Sequence, residues 1–279
     1  MSYKIVMDSC GELTDDMKKD ERIVAAPLTL DVGEDTFIDD ETFDQKLFLE
    51  KIAAYPLCPK SSCPSPEHYL DAFEEEVDHV YAVTLSGELS GSYNSAMLGM
   101  SMAQEKQPDK KIHVFNSRSA SVGETLITKK IMEYEAEGME FEKLVQAVEA
   151  YISSQNTYFV LENLETLRKN GRLSSFKAFF ASALKIKPIC ASTAEGEICQ
   201  LDQARGINKA LVKMVDCIVT NAVNSENRTL GISHCNCPER AQMVLEAIQN
   251  KITVKDYFIL DTAGVSSMYA NDGGIIVVL

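Results

Sequence analysis

The feature that most constrains the fold is a repeated pattern in which a short apolar, β-rich run ends in polar turn residues. Three such runs lie in the first half of the chain: Tyr3 to Met7, Val80 to Leu85 and Ile112 to Phe115. Helical patterns separate them, and this alternation is typical of parallel βαβ units. Because the carboxyl ends of parallel strands gather at one edge of a sheet, the polar segments Asp8-Ser9, Ser86 to Ser92 and Asn116 to Ser121 are expected to lie close together.

One of these segments carries a specific chemical signal. Residues Thr84 to Ala96, TLSGELSGSYNSA, change from an apolar run to serines and glycines and then to a helix. Such a layout presents backbone N–H groups and small hydroxyls at a helix N-terminus, where an anion is stabilised by the helix dipole and by hydrogen bonds. The segment therefore predicts an anion-binding turn at Ser90, Gly91 and Ser92.

Two further segments are able to contribute to an anion site. Ser61 to Pro66 forms a second hydroxyl-rich turn, ahead of a helix predicted over Glu67 to Val77. Arg172 follows the flexible pair Asn170-Gly171 and is able to reach an anion. The alternative interpretations are a simple helix cap for the first segment and an ordinary surface residue for Arg172.

The second half of the chain mixes helical and strand patterns. A strand predicted at Thr157 to Leu161 follows a helix around Phe141 to Ile152, so we expect a domain boundary near residue 155, with domains 1–155 and 156–279. An apolar helix is predicted near Phe176 to Leu184. Five more strands are predicted: Ile186 to Ala191, Ile198 to Leu201, Thr229 to His234, Tyr257 to Leu260 and Ile275 to Leu279.

Charge and hydropathy exclude several classes of function. The 27 Lys and Arg residues against 42 Asp and Glu residues give a net charge of −15, which repels nucleic acid and anionic membranes. The first nine residues lack the apolar core of a signal peptide, and no apolar stretch reaches the roughly 18 to 20 residues of a membrane span. Eight cysteines without a dense framework indicate reduced thiols. We therefore expect a soluble, cytoplasmic protein.

The sequence gives little support for catalysis, cofactors or metals. Gly87 to Gly91 is one residue longer than the GxSxG elbow of serine hydrolases, and neither a P-loop nor a GxGxxG fingerprint occurs. The segment His234-Cys235-Asn236-Cys237 places three metal-ligand residue types together, but no second cluster completes a tetrahedral site. The expectation is a binding site with no catalytic residue, cofactor or metal.

Several segments match, in chain order, the short motifs of one family. They are Asp8-Ser9, Lys60 to Pro66 (family pattern TSQPSP), Leu89 to Tyr93 (LSGTY), Asn116 to Ser121 (DSxxxS), Leu164 to Ser174 (LxxLxxGGRIS), Leu184 to Pro188 (LxIKP) and the glycine-containing tail Gly264 to Gly274. With these motifs the chain resembles the DegV family of bacterial fatty-acid-binding proteins.

This resemblance implies a fold and a function. The implied fold is α/β with two domains: an N-terminal α/β/α sandwich with a parallel sheet, and a two-layer C-terminal α/β domain with a mixed sheet. The implied ligand is a long-chain fatty acid, held with its carboxylate between the domains and its acyl chain in an apolar tunnel. The implied role is that of a carrier, not an enzyme, which presents the lipid to a fatty acid kinase.

The resemblance also assigns site residues. The family's carboxylate contacts fall on Ser61 and Ser62 in the first turn and on Ser90, Gly91 and Ser92 in the second. Arg172 matches a family arginine that lies near the headgroup and is associated with the acyl phosphate made by the kinase. Serine replaces the family threonine at positions 61 and 92 and keeps the hydroxyl, whereas Cys63 replaces a glutamine.

The C-terminal tail departs from the family pattern HTGPG. Alignment on Gly264 and Gly274 puts Ala270 at the family histidine and Asn271 at the threonine. A headgroup histidine that donates to a phosphate is then absent, and Asp272 would repel one. We therefore expect a fatty-acid-binding protein that couples weakly, or differently, to a fatty acid kinase.

Two other functions remain open at this point. One is a binding protein for another amphiphilic carboxylate. The other is an acyl-processing enzyme that uses Ser90 or Cys63 as its nucleophile.

Overall fold

The computed structural model of the protein describes residues 2–173 and 185–279. The helix predicted at Phe176 to Leu184 lies outside these ranges, as do Ser174 and Leu184, the motif residues at its two ends. Thirteen strands lie in the described ranges: β1 Tyr3–Asp8, β2 Ile23–Ala26, β3 Thr29–Val32, β4 Asp35–Ile38, β5 Lys60–Ser62, β6 His79–Thr84, β7 Lys111–Asn116, β8 Thr157–Val160, β9 Ile186–Ser192, β10 Ile198–Arg205, β11 Thr229–His234, β12 Asp256–Asp261 and β13 Ile275–Val278.

Nine α-helices occupy much of the same described sequence. They are α1 Gln45–Ala54, α2 Pro66–Phe73, α3 Ser92–Lys106, α4 Val122–Ala136, α5 Phe141–Ser154, α6 Glu165–Lys169, α7 Ile207–Asn221, α8 Pro238–Gln249 and α9 Gly264–Ala270. Strands form a four-stranded sheet of order β2-β1-β6-β7, a six-stranded sheet of order β10-β9-β8-β13-β11-β12 and a three-stranded sheet of order β4-β3-β5.

The four-stranded sheet is parallel throughout. Its strands are apolar on both faces, because helices cover both faces of a parallel sheet. On one face, Val80 and Ala82 of β6 pack with Tyr69 of α2. On the other face, the alternate residues Tyr81 and Val83 pack with α4 and α5.

The six-stranded sheet is mixed. Strands β11 and β12 are parallel, and the other neighbours are antiparallel. Helices α7 and α8 cover one face, where Met214 and Leu245 lie in the core. The opposite face presents Phe159, Leu161 and Ile276 toward residues of the first half of the chain.

The architecture confirms the predicted fold class, an α/β protein with one parallel and one mixed sheet. All strands of the parallel sheet precede residue 117, and all strands of the mixed sheet follow residue 156. The division into domains at residues 155 and 156 stays a prediction. Within the described ranges, no helix is long and apolar enough to cross a membrane.

Two local predictions differ from the structure. The segment predicted as a turn from Ser61 begins as strand β5, which pairs with β3 through Leu30 opposite Ser61 and Thr29 opposite Ser62. This pairing joins segments about 30 residues apart, so no local pattern reports it. Helix α2 ends at Phe73 rather than Val77, which is consistent with the acidic run Glu74 to Glu76 opposing the negative end of a helix dipole.

Gly99→Ala is expected to lower the free energy of unfolding by about 1 to 3 kcal/mol, because α2 and α3 pack without space for a side chain there. A Cβ atom at residue 99 would lie 2.7 Å from the carbonyl oxygen of Pro66 and 3.0 Å from the Cβ atom of Tyr69. Urea unfolding measures the effect. The control Ser101→Ala, at an exposed position of the same helix, should stay within about 0.5 kcal/mol of the parent; equal midpoints for both variants would contradict the close packing.

Candidate functional site

A cavity lies between the carboxyl edge of the parallel sheet and the free face of the mixed sheet. It encloses about 850 Å³ of space between atoms, its open mouth included. Its lining is mainly apolar and comes from both halves of the chain: Cys10, Leu28, Ser61, Leu85, Leu89, Ser90, Arg118, Ser119, Ala120, Thr157, Phe159, Leu161, Leu167, Arg172, Ser192, Gly196, Glu197, Ile198, Val265, Ser266, Tyr269, Ala270 and Ile276.

Three polar side chains meet at one end of the cavity. The hydroxyl oxygens of Ser61 and Tyr269 are 3.0 Å apart. The guanidinium carbon of Arg172 lies 5.9 Å from the centre of the Tyr269 ring. Arg172 is held by the carbonyl oxygens of Leu89 (3.1 Å from Nε) and Asn170, to which it donates. A guanidinium beside two hydroxyls is a suitable receptor for a carboxylate.

The turn after β6 adds Ser90 to the cavity lining. The residues that follow Ser90 make contacts within the turn itself. Ser90 accepts a hydrogen bond from the backbone N–H of Ser92 at 3.2 Å, and the two hydroxyl oxygens are 3.1 Å apart. Ser92 is fully buried at the start of α3. Gly91 is exposed, and a Cβ atom there would lie 3.0 Å from the sulfur of Cys63. Ser92 therefore holds Ser90 by hydrogen bonding, and the sulfur of Cys63 lies beside Gly91.

The predicted site residues thus separate into two groups. Ser61, Ser90, Arg172 and Ala270 line the cavity. The other four predicted residues, Ser62, Gly91, Ser92 and Asn271, are not among the described residues that line it. Ser62 is exposed at the next position of β5, where side chains point to the opposite face from Ser61. Asn271 borders a neighbouring groove and donates to the carbonyl of Tyr269 at 3.0 Å.

Tyr269 is the functional residue that sequence reasoning missed. Alignment on glycines directed attention to Ala270, which is buried and lines the cavity without a polar group. The preceding residue supplies the hydroxyl instead, because the tail forms helix α9, which turns Tyr269 toward Ser61. The signal in the sequence was Tyr269 itself, the one large polar side chain of the segment Gly264 to Ala270.

The far end of the cavity is closed by paired polar groups. The hydroxyl oxygens of Ser119 and Thr157 are 2.6 Å apart. Ser86 donates to the carbonyl of Gly196 at 2.8 Å, and Gly196 has a φ of +96° that favours glycine. Thr157 begins β8 and Leu161 directly follows its last residue, so these two lining residues are about 13 Å apart at the rise of a strand. The cavity is therefore an elongated apolar space between two polar ends.

A buried carboxylate fixes helix α9. Asp39 accepts hydrogen bonds from the backbone N–H groups of Gly264 (2.6 Å) and Val265 (2.8 Å) and from the Ser9 hydroxyl (3.0 Å). Burial raises the pKa of Asp39 to about 6, and these hydrogen bonds oppose the rise. Because α9 carries Tyr269, Asp39 positions one wall of the cavity from the other half of the chain.

The segment His234 to Cys237 does not form a metal site with this geometry. The ring Nδ1 of His234 accepts from the backbone N–H of Cys237 at 3.3 Å and lies 3.3 Å from the Asp261 carboxylate. The Cys237 thiol points to the carbonyl of Gly274 at 3.6 Å. Burial raises the pKa of both Cys235 and Cys237 to about 11.

Comparison with known proteins decides the family. A family model described as uncharacterised proteins of the DegV family matches residues 2–279. The chain belongs to the DegV family. A DegV domain-containing protein of Streptococcus pneumoniae is 34% identical over 278 residues, which cover 99% of this chain and 98% of that protein.

Two solved DegV structures are similar over their whole length. A DegV family protein from Ruminococcus gnavus, refined with vaccenic acid, is 53% identical with a TM-score of 0.97, and the match covers 100% of both chains. The fatty acid kinase (Fak) B3 protein of Streptococcus pneumoniae, loaded with linoleic acid, is 32% identical with a TM-score of 0.88, covering 100% of this chain and 99% of that one. These structures confirm the expected DegV fold.

Asp39→Asn is expected to reduce the pH dependence of this protein's free energy of unfolding between about pH 4 and pH 6. The folded pKa of Asp39 is about 6, whereas an unfolded aspartate titrates near about 3.9. The folded state therefore binds more protons in this window, and the free energy of unfolding falls by about 3 kcal/mol as the pH rises through it. The Asp8 carboxylate acts in the same direction on Asp39.

Urea unfolding at several pH values measures this slope for the parent and the variant. Asp40→Asn is the matched control, since hydrogen bonds from Thr42 lower the pKa of its neighbour Asp40 and give the opposite sign. In Asp39→Asn, the free energy of unfolding should fall less steeply as the pH rises. The fall that remains comes from the other buried carboxyl groups. A fall as steep as in the parent would exclude Asp39 as its source.

Proposed function

We propose that this protein binds a long-chain fatty acid and carries it without chemical change. The carboxylate lies at the end formed by Ser61, Ser90, Arg172 and Tyr269, and the acyl chain fills the apolar part of the cavity. The observation that carries this proposal is the mainly apolar cavity in which the Ser61 and Tyr269 hydroxyls and the Arg172 guanidinium meet at one place. The ligands of the two solved relatives, vaccenic and linoleic acid, support the ligand class.

The energetics agree with a carrier. Each buried CH₂ group contributes about 0.8 kcal/mol, so the acyl chain supplies most of the affinity. Charge-assisted hydrogen bonds at the polar end fix the orientation of the ligand. The apolar wall from Leu28, Leu85, Phe159 and Ile276 suits a hydrocarbon chain better than a polar metabolite.

The contacts of the serines favour binding over acyl chemistry. A nucleophilic serine needs a base within hydrogen-bond reach. The hydroxyl of Ser61 contacts Tyr269, and that of Ser90 contacts Ser92. Three of the four histidines pair with acidic residues elsewhere: His79 with Glu135, His113 with Glu149 and His234 with Asp261. The acyl-processing alternative is therefore the weaker one.

The domain division and the location of the protein belong to the same proposal. We infer domains 1–155 and 156–279 with the ligand between them, since the cavity lining comes from both sides of residue 155. We also propose a cytoplasmic location, which is supported by eight free cysteines, as expected in a reducing compartment.

Native mass spectrometry of the purified protein tests the ligand class. We expect a mass increment equal to a long-chain fatty acid, released on denaturation and identified in the organic extract. A co-purifying amphiphile of another class would favour the alternative of a different carboxylate ligand. A protein that neither contains nor takes up fatty acid, while folded, would contradict the proposal.

Ser61→Ala should weaken fatty-acid binding by about 1 to 2 kcal/mol, because a charge-assisted hydrogen bond to the carboxylate is lost. Ser62→Ala is the matched control on the same strand, and its exposed position predicts little change. Displacement of a fluorescent fatty acid from delipidated protein gives both affinities. A larger effect at Ser62 than at Ser61 would reverse the assignment and restore Ser62 as the ligand.

Tyr269→Phe should weaken binding by a similar amount of about 1 kcal/mol and leave the apolar wall intact. The control is Tyr257→Phe, whose exposed hydroxyl lies on the edge strand β12. Equal affinities for the parent and Tyr269→Phe would remove Tyr269 from the headgroup contacts.

We further propose a fatty acid kinase as the partner, with slower coupling than in family members that carry the tail histidine. The basis is Ala270 at the aligned histidine position and Asp272 nearby. Acyl-phosphate formation with a purified fatty acid kinase measures the rate. Turnover equal to that of a histidine-bearing family member would contradict the slower coupling, and no turnover would remove the kinase as partner without affecting fatty-acid binding.

A further inference from the structure

Four carboxyl side chains are buried below the cavity. Asp8 and Glu124 are 0% exposed, and Glu12 and Asp39 are 3% exposed. Among the ion pairs and hydrogen bonds of the described ranges, none joins a lysine, arginine or histidine to these four groups. A buried carboxylate is costly unless an opposite charge or several hydrogen bonds compensate it.

Hydrogen bonds account for most of this cluster but not for Glu124. Asp39 accepts three hydrogen bonds, as described above, and Glu12 accepts one from the Ser121 hydroxyl at 2.7 Å. Asp8 accepts from the backbone N–H groups of Leu85 at 2.9 Å and Cys10 at 3.1 Å. In the described ranges, no N–H or hydroxyl donor reaches either carboxylate oxygen of Glu124, and its carboxyl group meets the side chains of Asp8 and Cys10 instead. A fully buried carboxyl group beside a second one calls for a bound proton or a bound cation.

Glu124 faces two further potential ligands. One oxygen from Glu124, one from Asp8 and the sulfur of Cys10 lie within 4.8 Å of one another. Asp8 and Cys10 flank the end of strand β1, and Glu124 is in the first turn of α4. Each Asp8 oxygen accepts one N–H group and keeps a second lone pair. One thiolate and two carboxylates make a ligand set suited to zinc-type divalent cations.

The cluster also has a route to solvent. Cys10 and Ser266 both line the cavity, and the Ser266 hydroxyl oxygen lies 3.9 Å from the Cys10 sulfur. A cation entering through the cavity therefore reaches Cys10 first. A four-coordinate cation on these three residues would take its fourth ligand from water or from the Ser266 hydroxyl.

We propose that Asp8, Cys10 and Glu124 form a binding site for a zinc-type divalent cation beneath the lipid cavity. Binding releases the thiol proton of Cys10 and the carboxyl proton of Glu124 to solvent, with no change of oxidation state. This site goes beyond fatty-acid binding and does not depend on it.

Cobalt(II) titration of the chelator-treated protein tests the site. We expect one cobalt per chain, with a thiolate-to-cobalt charge-transfer absorption that Cys10→Ser abolishes. Glu124→Gln keeps the shape of the side chain and should weaken the affinity at least about tenfold. Cys237→Ser is the control, because its thiol lies in the segment His234 to Cys237, the other group of potential metal ligands considered above. Absence of the absorption, or its loss in Cys237→Ser with retention in Cys10→Ser, would overturn the proposal.

X-ray absorption of the zinc-loaded parent protein keeps the test independent of variant folding. The proposed site gives one sulfur and otherwise oxygen ligands. A site at His234, Cys235 and Cys237 would give two sulfurs and an imidazole, and binding to surface carboxylates would give no sulfur. Either of the last two results would refute the site, and neither result bears on fatty-acid binding, which the mass measurement tests separately.

Discussion

The structure depends on one constraint: in the described ranges, the helices of the second half that pack on the six-stranded mixed sheet, α7 and α8, bury only one of its faces. The apolar side chains of the other face need a second cover, and the first half of the chain contributes to it: Ile276 packs with Val122 and Leu126 of α4, and Leu89 packs in the cluster around Phe159. What the first half offers is the carboxyl edge of its parallel sheet, where strands end in serines and turns. An apolar face cannot close fully on a polar edge, and the elongated cavity is the space that results.

The contact between the halves is then held by buried polar groups rather than by apolar packing alone. Asp39 binds the N-terminus of α9, and Glu12 bonds to Ser121, whose hydroxyl oxygen lies 2.6 Å from that of Ser233. Buried polar groups need fixed hydrogen-bond partners, so they specify one arrangement of the two halves. Apolar surfaces alone would permit several arrangements.

The sequence predicted what local periodicity and local chemistry determine. The parallel strands β1, β6 and β7 lie where apolar runs ended in polar residues, and Ser90 lies in the turn that this pattern indicated. It did not predict the pairing of β5 with β3, which turns Ser61 toward the cavity and leaves Ser62 exposed. It also did not predict the bonds from Asp39 to α9, because they join residues more than 220 positions apart. Where a contact is set by such distant pairing, a motif identifies the segment but not the side chain that faces the ligand.

Tyr269 shows how the identity of the side chain that faces the cavity affects the chemistry of the site. A histidine in a headgroup contact changes its charge and its donor capacity between about pH 5 and 8. Burial raises the pKa of Tyr269 above its ordinary value, and Ser61 and the Arg172 charge oppose the rise. Tyr269 therefore keeps its O–H group throughout that range, and in the proposed complex it donates to the carboxylate without gaining charge. The positive charge beside Tyr269 comes from Arg172, so the proposed headgroup contacts rest on one permanent cation and neutral hydroxyls.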